Sequence, residues 1–123
     1  MLRFFRSLID QDNMPVVICT TDHRIAYLNP AACRHYETRG GASLLGKSLL
    51  DCHNPESVRR IEQILDWFRE DTSHNCVHTF FNASRQKDGY MVALRDTDGT
   101  LIGYYEKQVI RIPDEMPLYE MGK

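Results

Sequence analysis

Residues 16–32 read Val-Val-Ile-Cys-Thr-Thr-Asp-His-Arg-Ile-Ala-Tyr-Leu-Asn-Pro-Ala-Ala (VVICTTDHRIAYLNPAA). Val16 to Cys19 form a short apolar, β-branched run, the composition of a buried strand. Thr20 to Arg24 supply polar turn residues, and Ile25 to Leu28 read as the strand that returns beside the first. Asn29 followed by Pro30 then announces a helix. The Asn side chain can accept from a free backbone N–H of the first turn, and Pro fits the first helical position, where its missing N–H costs nothing. A tight hairpin that runs directly into a helix is the decisive local pattern.

Working outward, residues 1–13 (MLRFFRSLIDQDN) place Leu2, Phe5 and Ile9 on one helical stripe, with Phe4 and Leu8 beside it and Arg3, Arg6 and Asp10 elsewhere. The apolar run is broken at Arg6, which is too short for a signal peptide or a membrane span. A helix from Pro30 to about Tyr36 is expected to follow the hairpin, ending in the loop RGGAS. The segment LLGKSLLDCHN reads as short helical turns. Asn54, Pro55 and Glu56 then repeat the helix-start signal with an acid in the first turn. Val58, Ile61, Ile64, Leu65 and Phe68 recur at helical spacing, and the helix is expected to end near Glu70.

Three strand candidates follow, HNCVHTFFN, GYMVALRD and TLIGYYEKQVI, the last two joined by a turn from Asp96 to Thr100 in which Gly99 can take positive φ. The order is helix, two strands, several helices, three strands. That is an α+β domain with a five-stranded antiparallel sheet, helices over one face, and a pocket between them. We divide the chain into an amphipathic N-terminal helix (1–12), a domain (13–112) and an irregular tail (113–123).

The element order and two motifs resemble the PAS fold. VVICTTDHRIAYLNPAA is similar to the opening PAS hairpin, with Asp22 in the turn and Asn29 before the helix. LRDTDGTLIGYYEKQV is similar to the closing hairpin, with its Asp-x-x-Gly turn and following Ile-Gly. The resemblance spans roughly residues 14–109. The run LLGKSLLDCHNPESVRRIEQIL further resembles the PAS module of bacterial proteins that also carry hemerythrin-type domains, through Cys52, His53 and Pro55. Two departures stand out: the usual turn Gly of the first hairpin is replaced by His23 or Arg24, and the Asp-Ile-Thr exit motif is absent, the chain reading QVIRIPDEM. The resemblance implies a bacterial sensory module rather than an enzyme, one that signals through its own dimer or a separate partner.

The bulk properties agree. The chain has 123 residues, enough for one domain with its own core. Its net charge of −2 with no basic block gives no electrostatic footprint for nucleic acid. The four cysteines form no CxxC pair, which suits reduced thiols and a cytoplasmic location.

The expected ligand-binding residues are His53, Cys52, Tyr27, Phe80, Tyr90 and Tyr104. The aromatics would line a mostly apolar pocket with a few hydroxyls, although the same residues could simply fill a core. His53 could ligate haem iron, as a histidine does in some PAS sensors, against the more ordinary reading of a local hydrogen bond at the start of the helix. Cys52 raises the flavin-photosensor reading, but its surroundings, LLDCHNPE, differ from the Asn-Cys-Arg-Phe-Leu-Gln run of those relatives, which argues against flavin. His74, Cys76 and His78 alternate, so on a strand they would share one face and offer metal ligands, opposite Val77, Thr79 and Phe81. A flat strand alone makes a poor tetrahedral site, and we expect a half-exposed strand face instead. The N-terminal stripe suits either a homodimer contact or a membrane surface. We favour the dimer, where burying two or three Phe and Leu side chains would contribute roughly 1.5–3 kcal/mol each.

Overall fold

The computed structural model describes residues 1–121. Gly122 and Lys123, the end of the expected tail, lie outside the described residues. The chain forms α1 (Leu2–Asp10), β1 (Val16–Thr20), β2 (Ile25–Leu28), α2 (Pro30–His35), three 3₁₀ turns (Glu37–Arg39, Gly41–Leu44, Leu49–Cys52), α3 (Pro55–Glu70), β3 (Cys76–Asn82), β4 (Lys87–Arg95) and β5 (Leu101–Ile110). All neighbouring strands are antiparallel, in the order β2-β1-β5-β4-β3. The fold is α+β, as the alternation of segments predicts. The two hairpins are joined along β1 and β5, so the centre of the sheet is a pairing between distant parts of the chain.

Local chemistry explains the element boundaries. Asn29 and Asn54 each accept a hydrogen bond from the residue three positions on, Ala32 and Ser57, and each is followed by Pro. His23 occupies the hairpin turn with φ of 69°, the left-handed conformation that the missing Gly would otherwise supply. Gly99 has φ of 92° in the turn between β4 and β5.

One face of the sheet packs on α3. Val17, Cys19, Met91 and Tyr104 meet Ile61, Leu65 and Phe68 there, with Leu28, Ala32, Leu44 and Leu49 closing the side. Strand alternation carries Glu106 and Gln108 to this same face, because Glu106 pairs with Val17 on one side and Met91 on the other.

β3 departs from simple alternation. It begins at Cys76, not His74, and its register shifts between His78 and Phe80. The bulge at Thr79 sets Phe80 opposite Gly89 and Phe81 opposite Asp88. A Cβ on Gly89 would lie 2.0 Å from the Phe80 ring, so the ring lies across the glycine. The expected set Val77, Thr79 and Phe81 is therefore not one face: Phe80 takes the side of Val77, and Phe81 takes the side of His78 and Asp88.

Candidate functional site

A cavity of about 870 Å³ opens between α3 and the β3–β4–β5 half of the sheet. Val17, Ile61, Ile64, Val77, Phe80 and Met91 supply apolar wall, and Tyr36, His53, Arg60, Glu106, Lys107 and Gln108 are among its polar members. The volume falls within the range that takes a drug-sized molecule.

His53 is placed by the 3₁₀ turn before α3. Its Nδ1 lies 2.9 Å from the Leu49 carbonyl oxygen, so in the neutral ring Nδ1–H donates there and Nε2 is left as an acceptor. Tyr36 closes α2 and also lines the cavity, and burial pushes its phenol up to about 12, which keeps the hydroxyl a donor at physiological pH.

Glu106 is the residue that sequence reasoning missed. It lies mid-strand, half-buried, and lines the cavity. Burial pushes its carboxyl above the usual carboxylate range, and His53 opposes that shift only in part. It makes no hydrogen bond or ion pair within the described residues, whereas Arg60 in the same wall is held by Glu56 (Nε to Oε1, 3.1 Å).

Of the expected binding residues, the structure brings His53, Phe80 and Tyr90 to the cavity wall, but not Cys52, Tyr27 or Tyr104. Cys52 is exposed, because the 3₁₀ turn rotates it outward while its neighbour His53 turns in. Tyr27 lies on the opposite sheet face, where its hydroxyl donates to Asp10 and Arg6 covers its ring at 5.5 Å. It fastens α1 rather than lining a pocket. Tyr104 is on the helix-facing side but fully buried under α3, one inward pair beyond Glu106. Its hydroxyl shares a 2.8 Å hydrogen bond with His23 Nδ1, and burial pushes its phenol up. Asp51, the other titratable neighbour of His53, is exposed.

The row His74, Cys76 and His78 does not form. His74 precedes the strand, with Nδ1 2.7 Å from the Trp67 carbonyl oxygen and its ring stacked on Trp67 at 4.0 Å. His78 Nε2 instead meets Asp88 Oδ1 at 2.8 Å. Among the described residues no group of three His, Cys, Asp or Glu side chains is arranged to hold a metal.

Asp88 also receives the Arg111 guanidinium (Nε to Oδ2, 2.9 Å), and Arg111 lies over the Phe81 ring at 3.8 Å. This clasp ties the chain leaving β5 back to β3 and β4. Arg111 first, and His78 after it, hold the Asp88 carboxyl below its ordinary range. The stability it supplies is therefore present above the unfolded carboxylate value of about 3.9 and lost as pH falls through the lower folded value. Asp88→Asn should be less stable than the parent protein at pH 7. In urea titrations from pH 7 to 2 that gap should close below about pH 4.

An open five-stranded antiparallel sheet with helices over one face and a cavity between them defines a small α+β domain. The chain belongs to the PAS-fold family, which matches it over residues 9–106. Solved structures agree in fold. The PAS domain of a Colwellia psychrerythraea protein superposes with a TM-score of 0.66 at 11% identity, covering 89% of this chain and 95% of that one. The PAS domain of BvgS from Bordetella pertussis gives 0.58 at 20% identity, over 93% and 88%. The Aer2 receptor of Vibrio cholerae, described as a dual PAS-heme oxygen sensor, gives 0.56 at 19% identity, over 80% and 95%. No curated protein matches the sequence. Among the described residues no helix is long and apolar enough to cross a membrane.

Proposed function

We propose that this chain is a sensory PAS module that takes a small molecule into the cavity between α3 and the sheet, and that it works as a homodimer. The observation that carries the ligand is the cavity itself, about 870 Å³ with a wall of mixed apolar and polar residues. The dimer rests on α1. Leu2, Phe4, Phe5 and Leu8 are 84%, 60%, 53% and 72% exposed, and Ile102, Val109 and Ile110 are exposed on β5. An apolar stripe of this kind is covered economically by a second copy of itself. Ligand occupancy would then bias the dimer or a separate partner surface as a two-state equilibrium. The resemblance of the Cys52-His53 run to PAS modules of hemerythrin-containing bacterial proteins suits a bacterial sensing context and a cytoplasmic location.

Native mass spectrometry with an ultraviolet-visible spectrum tests both parts. We expect a dimer mass and a discrete added mass in the freshly purified protein, and Phe5→Glu should shift the dimer to monomer. A bare monomer at tens of micromolar would refute the dimer.

His53 supports a second reading, a haem-based sensor. The Leu49 carbonyl fixes the tautomer that leaves Nε2 free on the cavity wall, the arrangement that second-shell partners give to metal-bound histidines. The structural likeness to a PAS-heme receptor points the same way. Haem titration should then give a Soret band that His53→Ala abolishes. An unchanged band would eliminate this ligand.

A further inference from the structure

Glu106 is costly where it stands. A carboxylate in the middle of a sheet, flanked by Val17 and Met91 and facing α3, is expected to be paired, since burial of an unpaired charge is strongly unfavourable. The fold gives it no partner. Arg60 is held by Glu56, Lys107 lines the wall but lies over Tyr90, and His53, engaged by the Leu49 carbonyl at Nδ1, makes no hydrogen bond to it. Among the described residues Glu106 is the only acidic member of the cavity wall, and its oxygens make no hydrogen bond and are not sealed from solvent. A ligand supplying positively charged N–H donors at this point would satisfy the carboxylate and, through its carbon skeleton, cover the apolar wall.

We propose that the cavity takes a small, largely apolar molecule bearing a protonated amine or amidine, docked on the Glu106 carboxylate with its apolar body against Ile61, Val77 and Met91. This assignment rests on the ligand-binding reading above. His53 Nε2 is the second acceptor within the wall, and the Tyr36 hydroxyl is the adjacent donor.

The test uses three probes with one aromatic body: 2-phenylethylamine, 2-phenylethanol and phenylacetate. Trp67, the only tryptophan of the chain, lines the cavity and reports binding by fluorescence; calorimetry gives the affinities. The amine should bind about tenfold or more tightly than the alcohol, and the carboxylate least. Glu106→Gln should weaken the amine by about tenfold or more and leave the alcohol within about threefold. Equal binding of all three, or preference for phenylacetate, would leave the cavity a ligand site and overturn the role of Glu106. No binding by any probe would overturn both readings.

A second measurement is independent of ligand choice. The raised Glu106 carboxyl makes the folded protein most stable below the unfolded value of about 4.3, with stability lost as pH rises through the folded value. Glu106→Gln should therefore raise Tm at pH 7 and leave it unchanged near pH 4. The groups facing Glu106 are Tyr36 from the end of α2, His53 before α3, Cys19 on β1 and Tyr104 on its own strand. The comparison is repeated in a His53→Gln background, so that His53 does not contribute. A lower Tm for Glu106→Gln at pH 7 would show that the carboxylate is already paired in the free protein, and would refute the proposal.

Discussion

Asn29→Ala should destabilise the protein by about 3–4 kcal/mol and free α1 from the sheet. Asn29 is fully buried and all of its hydrogen-bonding capacity is used. Its Oδ1 accepts from Val16 N (2.9 Å) and Ala32 N (2.8 Å), so one oxygen both starts β1 and caps α2. Its Nδ2 donates toward the carbonyls of Ile9 (3.0 Å), Met14 (3.1 Å) and Asp12 (3.3 Å), which gathers the end of α1 and the linker into the domain. Truncation to Ala leaves two buried N–H groups and the Asp12 and Met14 carbonyls short of partners, while Ile9 O keeps the Asp12 N–H, at about 1–3 kcal/mol for each group that water cannot reach. Asn29→Asp separates the two roles. It keeps the acceptor oxygen but replaces the amide donor with a carboxylate facing three carbonyl oxygens, so at neutral pH it should be no better than Ala. Urea unfolding measures the loss, and hydrogen exchange at residues 9–14 reads the release of α1. An Asn29→Ala protein within about 1 kcal/mol of the parent, with α1 still protected, would contradict this account.

The same residue shows why so much of the fold was legible. Asn29-Pro30 and Asn54-Pro55 carry their structural meaning in adjacent residues, because capping is a contact within one helical turn. The apolar spacing of Ile61, Leu65 and Phe68 likewise reports a buried stripe, and these three are the buried residues of α3. The turn from Asp96 to Thr100 is a local matter as well. In each case the sequence neighbours are also the physical partners.

The candidate site was less legible because its partners are distant and its strand faces are mixed. On β5, Tyr104, Glu106 and Gln108 alternate with Tyr105, Lys107 and Val109, and each set holds one tyrosine and at least one polar residue. Composition could not say which set faced the helix; pairing with Val17 and Met91 decides it. On β3, the bulge at Thr79 reverses the parity halfway along, so that alternation correctly counted from Cys76 misplaces Phe80 and Phe81. Aromatic type alone drew attention to Tyr27 and Tyr104, whose hydroxyls are engaged by Asp10 and His23. A single glutamate between apolar neighbours on a strand paired on both sides was the available signal for Glu106, and it could be weighed only once the sheet order was known.

Arg95→Met should cost about 2–3 kcal/mol and act mainly where α3 meets the second hairpin. The last carbonyls of a helix have no partners within it. Here no left-handed Gly cap follows α3: its C-cap, Asp71, is extended. Arg95, at the end of β4, reaches across instead. Its Nη2 donates to the carbonyls of Phe68 (2.6 Å), Asp71 (3.1 Å) and His74 (3.1 Å), its Nη1 to Gly99 O (3.1 Å), and its Nε to Asn75 Oδ1 (2.7 Å). One guanidinium thus closes the helix, the α3–β3 connection and the β4–β5 turn together, which needs the planar fork of donors that Lys lacks. Met keeps the length of the stem, so its effect isolates the hydrogen bonds from packing. Arg95→Lys restores the charge at the helix end but only part of the fork, and should recover less than half of the loss. Because Phe68 is wholly buried beside Leu65, loosening this end of α3 should also widen the cavity wall that α3 forms. Denaturant midpoints of the three proteins give the order of stability. Exchange protection confined to residues 66–76 and 95–100 would place the damage at this junction, whereas uniform loss of protection would show that Arg95 acts on the whole sheet.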